Sequence, residues 1–159
     1  MTGIDINDGM PAVARRHDPS VTWERGPAES LPFDDGTFDV VVSQFGLMFF
    51  NDPTAAIREM RRVARSGGQI AVAVWTGLEL VPGYAAMVGL LDRLFGAAAA
   101  DALRAPYAFG DKNELTRLFT AVGLDATVTT RQGTARFPSI DAWVHTDVRG
   151  WTLADMITD

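Results

Sequence analysis

Short apolar stretches alternate along the chain with longer stretches in which apolar residues recur every three or four positions. Thr2–Ile6 reads as a short strand. A helix follows, with Asn7 or Asp8 as its N-cap, Pro11 in its first turn, and Met10, Val13 and Ala14 on its apolar side. Val21, Trp23 and Arg25 alternate with Thr22 and Glu24, the pattern of a second strand. Phe38–Ser43 is a continuous β-branched run, which predicts a strand buried on both faces. Asp52-Pro53 opens a helix with the stripe Ile57, Met60, Val63 and Ala64, closed by Gly67-Gly68. Gln69–Trp75 is the next buried strand.

The second half is more helical. Tyr84, Met87, Val88, Leu91, Leu94, Phe95 and Ala98 keep helical spacing and predict one long helix. Asp111-Lys112-Asn113-Glu114 has the form of a capping box ahead of Leu115, Leu118, Phe119 and Val122, with Gly123 as the C′ residue. Ala126–Arg131 and Thr134–Phe137, joined around Gln132-Gly133, predict a hairpin. Pro138-Ser139 then starts a last helix carrying Ile140, Trp143 and Val144. Strand and helix in alternation indicate an α/β domain with a mainly parallel sheet.

Composition narrows the partners. At 159 residues with 47% hydrophobic and 21% charged, the chain has the make-up of one globular domain rather than a disordered segment. Twenty acidic against 14 basic residues give a net charge of −6 spread over both halves, so no nucleic-acid or anionic-membrane partner is expected. The local basic run Arg58, Arg61, Arg62 and Arg65 reads as a solvated helix face. No apolar run is long enough for a membrane span, and Met1–Met10 lacks the pattern of a secretory signal, so a cytoplasmic location is expected. The absence of cysteine excludes a disulfide scaffold, a cysteine nucleophile and a thiolate metal site. His17 and His145 stand alone in sequence, so no metal site is expected, and Asp34-Asp35-Gly36 is turn chemistry.

In open α/β sheets, ligands bind beyond the carboxyl ends of the strands. Asp5 sits there after the first strand. Its carboxylate suits the two vicinal hydroxyls of a ribose, and equally suits a helix cap. The corresponding positions are Gly26-Pro27-Ala28-Glu29 after the second strand, Ser43-Gln44-Phe45-Gly46 after the third and Trp75-Thr76-Gly77 after the fourth.

Four segments in order carry a resemblance: Thr2–Met10, Gly26–Phe33, Asp34–Phe50 and Ala55–Val63 with Gly67-Gly68. Together they resemble the class I S-adenosylmethionine-dependent methyltransferases of the type 11, or UbiE-like, group, closely over Met1–Trp75 and loosely from Tyr84 onward. The resemblance implies a Rossmann-like, mostly parallel sheet with a C-terminal antiparallel hairpin. The domain it implies is a single partial one over 1–159, with cofactor-side elements in 1–75 and a helical and hairpin part in 76–159. The cofactor implied is S-adenosylmethionine, and the activity is methyl transfer to a small-molecule acceptor. Asp5 would then hold the ribose, Ile6 would lie against adenine, and Ala28 and Glu29 would sit at the adenine edge. Ser43 and Gln44 would close over the methionine part. Phe45, Phe49, Trp75 and Tyr84 are candidates for a substrate wall or, alternatively, for core packing.

Two departures from the family pattern stand out. Pro27 occupies a position that is commonly an aspartate facing the adenine amino group. The glycine-rich loop after the family's first strand has no counterpart, so the chain is expected to lack that strand and helix and to leave strand edges for a second copy or a strand-donating partner. Two other readings remain open on the residues: a non-catalytic remnant or interaction module completed by another chain, and a nicotinamide-dependent oxidoreductase. Methyl transfer from a sulfonium depends mainly on orientation, so no catalytic residue is named.

Overall fold

The computed structural model describes residues 1–149. Two compact units divide the chain, one of 1–74 with 113–126 and one of 75–112 with the described chain from Thr127 on.

In the first unit β1 (Thr2–Asp5) pairs in parallel with β2 (Thr22–Arg25), linked by α1 (Gly9–His17). Register sets Gly3 opposite Trp23, and a Cβ on Gly3 would collide with the indole ring, so glycine lets Trp23 lie flat across β1. A second parallel pair joins β3 (Phe38–Gln44) to β4 (Ala64–Ala73) through α2 (Pro53–Val63). Among the described residues the ladders form two separate two-stranded sheets, β1-β2 and β3-β4, where one sheet was expected. The α/β class and its parallel pairing are as the sequence implies.

Local chemistry accounts for the elements. Asp52 caps α2 by accepting from the Ala55 N–H at 2.9 Å, and Pro53 follows at the first helical position. Ala56, Ile57, Met60 and Val63 are buried along one face of α2. Leu115 and Phe119 on α5 (Lys112–Ala121), with Val122 beyond it, are buried in the same way. Gly123 ends that helix at φ 72°, as its C′ assignment requires.

Several expectations are corrected. Gly67-Gly68 does not close α2; Ala64 already takes extended backbone, and both glycines fall in a register shift where β4 bulges against β3. The Arg65–Asp39 ion pair clips this bulge. β3 is not buried on both faces. α2 packs on the β3-β4 pair, whose face carrying Val41, Ser43, Ile70 and Val72 is half-buried, while Val40 and Val42 on the other face are 52% and 64% exposed. In α1, Met10 and Val13 are exposed and Pro11 is the buried residue, because so short a helix touches β1 and β2 along a narrow line.

The second unit is helical. The long helix expected after Tyr84 breaks at Gly96, whose φ of 84° and ψ of 177° suit only glycine, into α3 (Pro82–Phe95) and α4 (Ala97–Arg104). The break turns Met87, Val88 and Leu91 onto Ala99, Ala100 and Leu103 as one core and leaves Leu94 and Phe95 exposed. The C-terminal hairpin is absent: residues 124–137 carry no ladder. Thr127, Thr129, Thr130, Arg131 and Arg136 are exposed there, and a lone two-stranded hairpin has little apolar face to hold it together. α6 (Ile140–Arg149) starts where expected, with the Ser139 hydroxyl accepting from the Ala142 N–H at 3.1 Å. No helix among the described residues is long and apolar enough to cross a membrane.

Candidate functional site

Parallel pairing brings the carboxyl ends of neighbouring strands level, Asp5 with Arg25 and Gln44 with Ala73. Asp5 closes β1, and its Oδ1 accepts from the Asn7 N–H at 2.8 Å. Asn7 Oδ1 in turn accepts from the Gly9 N–H at 2.7 Å, while Asp8, the N-cap by position, makes no side-chain cap bond. The Asp5 carboxylate therefore fixes the turn towards α1 from the end of the strand, without being the helix cap itself. Ile6 beside it is 60% exposed. Arg25 braces the loop from β2, donating to the Ile6 carbonyl at 3.3 Å and pairing with Asp8 at 3.1 Å.

The loop after β2 is tied to the segment ahead of α2. Glu29 Oε1 accepts from the Asn51 and Asp52 N–H groups at 2.8 and 3.2 Å. This carboxylate thus joins the loop after β2 to the start of α2, a task the sequence did not disclose. Ala28 lies half-buried within the turn that the Ser30 N–H closes onto the Pro27 carbonyl. Farther along, Glu59 accepts from the Leu31 N–H at 2.8 Å, and the Arg62 guanidinium donates to the Leu31 and Phe33 carbonyls and to Glu59 and Asp35. Its hydrogen bond holds the Glu59 carboxyl below the usual carboxylate range. The basic run on α2 is therefore partly a clamp on the Leu31–Asp35 loop.

Ser43 and Gln44 end β3, Ser43 half-buried and Gln44 exposed. Phe45 follows with φ 55°, the one non-glycine residue with positive φ among those described, while its N–H donates to the Ala73 carbonyl at 2.9 Å. An aromatic residue in this region stores roughly 1–3 kcal/mol of backbone strain, and such strain gathers at ligand sites. The chain turns sharply here so that Ser43 and Gln44 stand at the strand end. A Cβ on Gly46 would come within 3.1 Å of the Ser43 hydroxyl, so glycine clears that side.

The aromatic candidates divide between the units. Phe45 and Phe49 belong to the first, with Phe49 48% exposed. Trp75 and Tyr84 belong to the second. Tyr84 packs edge-on to Trp143 with ring centroids 5.3 Å apart and lies 5.8 Å from Tyr107. Sequence reasoning missed Tyr107 and also Asp147, one turn beyond Trp143 on α6. The signal was present in the four-residue spacing of Trp143 and Asp147, which puts an acid on the apolar face of the helix.

Comparison with known proteins follows these elements. A family model described as a methyltransferase domain matches residues 1–72. A demethylmenaquinone methyltransferase of Renibacterium salmoninarum is 40% identical over 73 residues, 46% of this chain and 31% of that protein. A demethylmenaquinone methyltransferase of Staphylococcus aureus is 31% identical over 137 residues, 77% of this chain and 56% of that protein. The chain thus spans about a third to little more than half the length of the curated relatives it matches. Among solved structures, a SAM-dependent methyltransferase of Thermotoga maritima aligns with TM-score 0.59 and 24% identity over 77% of this chain and 53% of that one. A chain from the complex between the Haloferax volcanii Trm112 methyltransferase activator and a methyltransferase aligns with TM-score 0.62 and 20% identity, over 91% and 65% of the two chains. These likenesses establish the Rossmann-like fold. The remnant and oxidoreductase readings draw no support from any of these matches.

Proposed function

We propose that this chain belongs to the class I S-adenosylmethionine-dependent methyltransferase family and serves the transfer of a methyl group from that cofactor to a small-molecule acceptor. The observation that carries the reading is Asp5 at the carboxyl end of a parallel strand, next to an exposed Ile6. A carboxylate in that place accepts from both hydroxyls of a ribose, and the aliphatic side chain offers adenine an apolar face. Ala28 supplies backbone at the adenine edge. Glu29 acts there by holding the loop after β2 against the start of α2 through Asn51 and Asp52. Ser43 and Gln44, lifted by the turn at Phe45, face the methionine part. The cofactor supplies a methyl group already activated on a sulfonium, so the residues of the chain have mainly to orient and to exclude water. Phe45 and Phe49 are the acceptor-wall candidates of the first unit, and Trp75 and Tyr84 those of the second. A further strand, from a second copy or a strand-donating partner, would complete the pairing of the open β1 and β3 edges.

Ligand-observed NMR titration with S-adenosylhomocysteine tests the assignment. We expect weak binding by the chain, lowered about tenfold or more by Asp5→Ala, since a hydrogen bond to a charged group contributes ~1.5–3 kcal/mol. No binding by the wild-type chain, or equal binding by both proteins, would overturn it.

A further inference from the structure

The second unit buries a carboxylate that no cation among the described residues answers. Asp147 on α6 is 5% exposed and is the one charged residue buried among those described. Its Oδ2 has no hydrogen-bond partner among the described residues, and neither has the indole Nε1 of Trp143 a turn away. Among the described residues no ion pair reaches Asp147, and Arg104, the cation of helix α4, is paired with Asp101. Burial pushes the Asp147 carboxyl up, and the nearby Tyr84 hydroxyl brings it only part of the way back. Burial likewise pushes the Tyr84 and Tyr107 hydroxyls up, so both stay neutral and add no second negative charge beside Asp147.

Rings surround this carboxylate. Tyr84 and Tyr107 stand 5.8 Å apart and tilted by 48°, and Tyr84 meets Trp143 at 73°. Phe137 stacks on Trp143 at 5.8 Å. A Cβ on Gly83 would press to 3.3 Å from the indole, so glycine there gives Trp143 its seat. Tyr107 also lines a cleft of about 600 Å³, which carries the acids Glu79, Asp101 and Asp111 against the single base Arg104. With Asp101 and Arg104 paired to each other, the lining of that cleft carries more acid than base.

An unpaired buried carboxylate costs stability unless something compensates it. Packing alone gives no reason for an acid at this position, since an apolar residue would serve Trp143 and Tyr84 as well. We propose that the Asp147–Tyr84–Tyr107–Trp143 cluster is a binding site for a small organic ammonium. Its N–H donates to Asp147 Oδ2, and its positive charge lies against the tyrosine and tryptophan rings. The unpartnered indole N–H beside Oδ2 is placed to donate to an oxygen on the same ligand. This site is defined by binding and stands apart from the assignment of Asp5.

Isothermal calorimetry on the whole chain tests it, with ethylammonium as the probe and ethanol as its neutral counterpart. Ethylammonium should bind and ethanol should not, a contrast read on the wild-type protein. Asp147→Asn should lower the ethylammonium affinity about tenfold or more, as loss of a charge-assisted bond does. Asp92→Asn, which removes an exposed acid of the same unit, should leave it unchanged. Absence of ethylammonium binding, equal binding of ethanol, or equal losses in the two variants would overturn the proposal.

Discussion

Asp147 makes stability depend on pH in the sense opposite to an acid held in an ion pair. Its folded-state pKa is raised from the ordinary 3.8 by burial, so the folded chain holds this proton more tightly than the unfolded chain does. The unfolded state begins to lose the proton near pH 3.8 while the folded state still keeps it, and stability falls as pH rises through that window. Asparagine fills the same space without a charge. Asp147→Asn should therefore match the wild type below about pH 4 and melt at a higher temperature at pH 7, with the gap opening as pH rises between them. Thermal melts followed by circular dichroism over that range read the difference, and a variant less stable at pH 7 would show a counter-charge that this geometry lacks. Glu59 behaves in the reverse way. Its pKa is lowered by the Arg62 hydrogen bond, so its contribution is full above the unfolded value and disappears as pH falls through the folded one. Tyr84 and Trp143 were visible in sequence as apolar members of helices. That they close on a carboxylate was not, because the contact joins α3, α6 and the turn at Tyr107, far apart along the chain.

At the level of elements, what was legible tracks how local the cause is. α2 and its cap were readable because Asp52, Pro53 and the Ile57–Met60–Val63 stripe lie within three turns. So was the strand-end position of Asp5, which needs only β1 and the turn after it. Glu29 was read as an adenine-edge residue, whereas its bonds to Asn51 and Asp52 depend on tertiary approach that no spacing records. The long helix after Tyr84 failed at one residue. Periodicity continued through Gly96 into the alanines, and glycine inside a helical pattern reads as tolerated. Its backbone at φ 84° and ψ 177° is closed to side chains, and the break is what packs Leu103 onto Leu91. Were the helix continuous, Gly96→Ala would stabilise by about 1 kcal/mol on propensity. With the break it should instead destabilise, by ~1–3 kcal/mol. Urea unfolding of the two proteins decides by the sign alone.

For the whole molecule, the question is why two parallel pairs stand where one sheet was expected. Parallel strands are ordinarily covered on both faces and paired on both edges, and the β-branched run of β3 was read as buried on that ground. Here α2 covers one face of the β3-β4 pair, and the other presents Val40 and Val42, with Ala71 and Ala73 exposed alongside on β4. β3 and β1 each keep an edge of unpaired backbone N–H and carbonyl groups among the described residues. An apolar strand with a free edge is a template for another chain, and natural sheets commonly blunt such edges with a lysine. β3 carries none; its charged residue, Asp39, is held by Arg65 at the β4 bulge. The chain should therefore self-associate as its concentration rises, through β3. Val42→Lys, at a side chain already 64% exposed, should shift the population to monomer in sedimentation velocity while leaving the thermal melt near that of the wild type. Unchanged association in that variant would place the contact elsewhere and leave β3 covered by some other means.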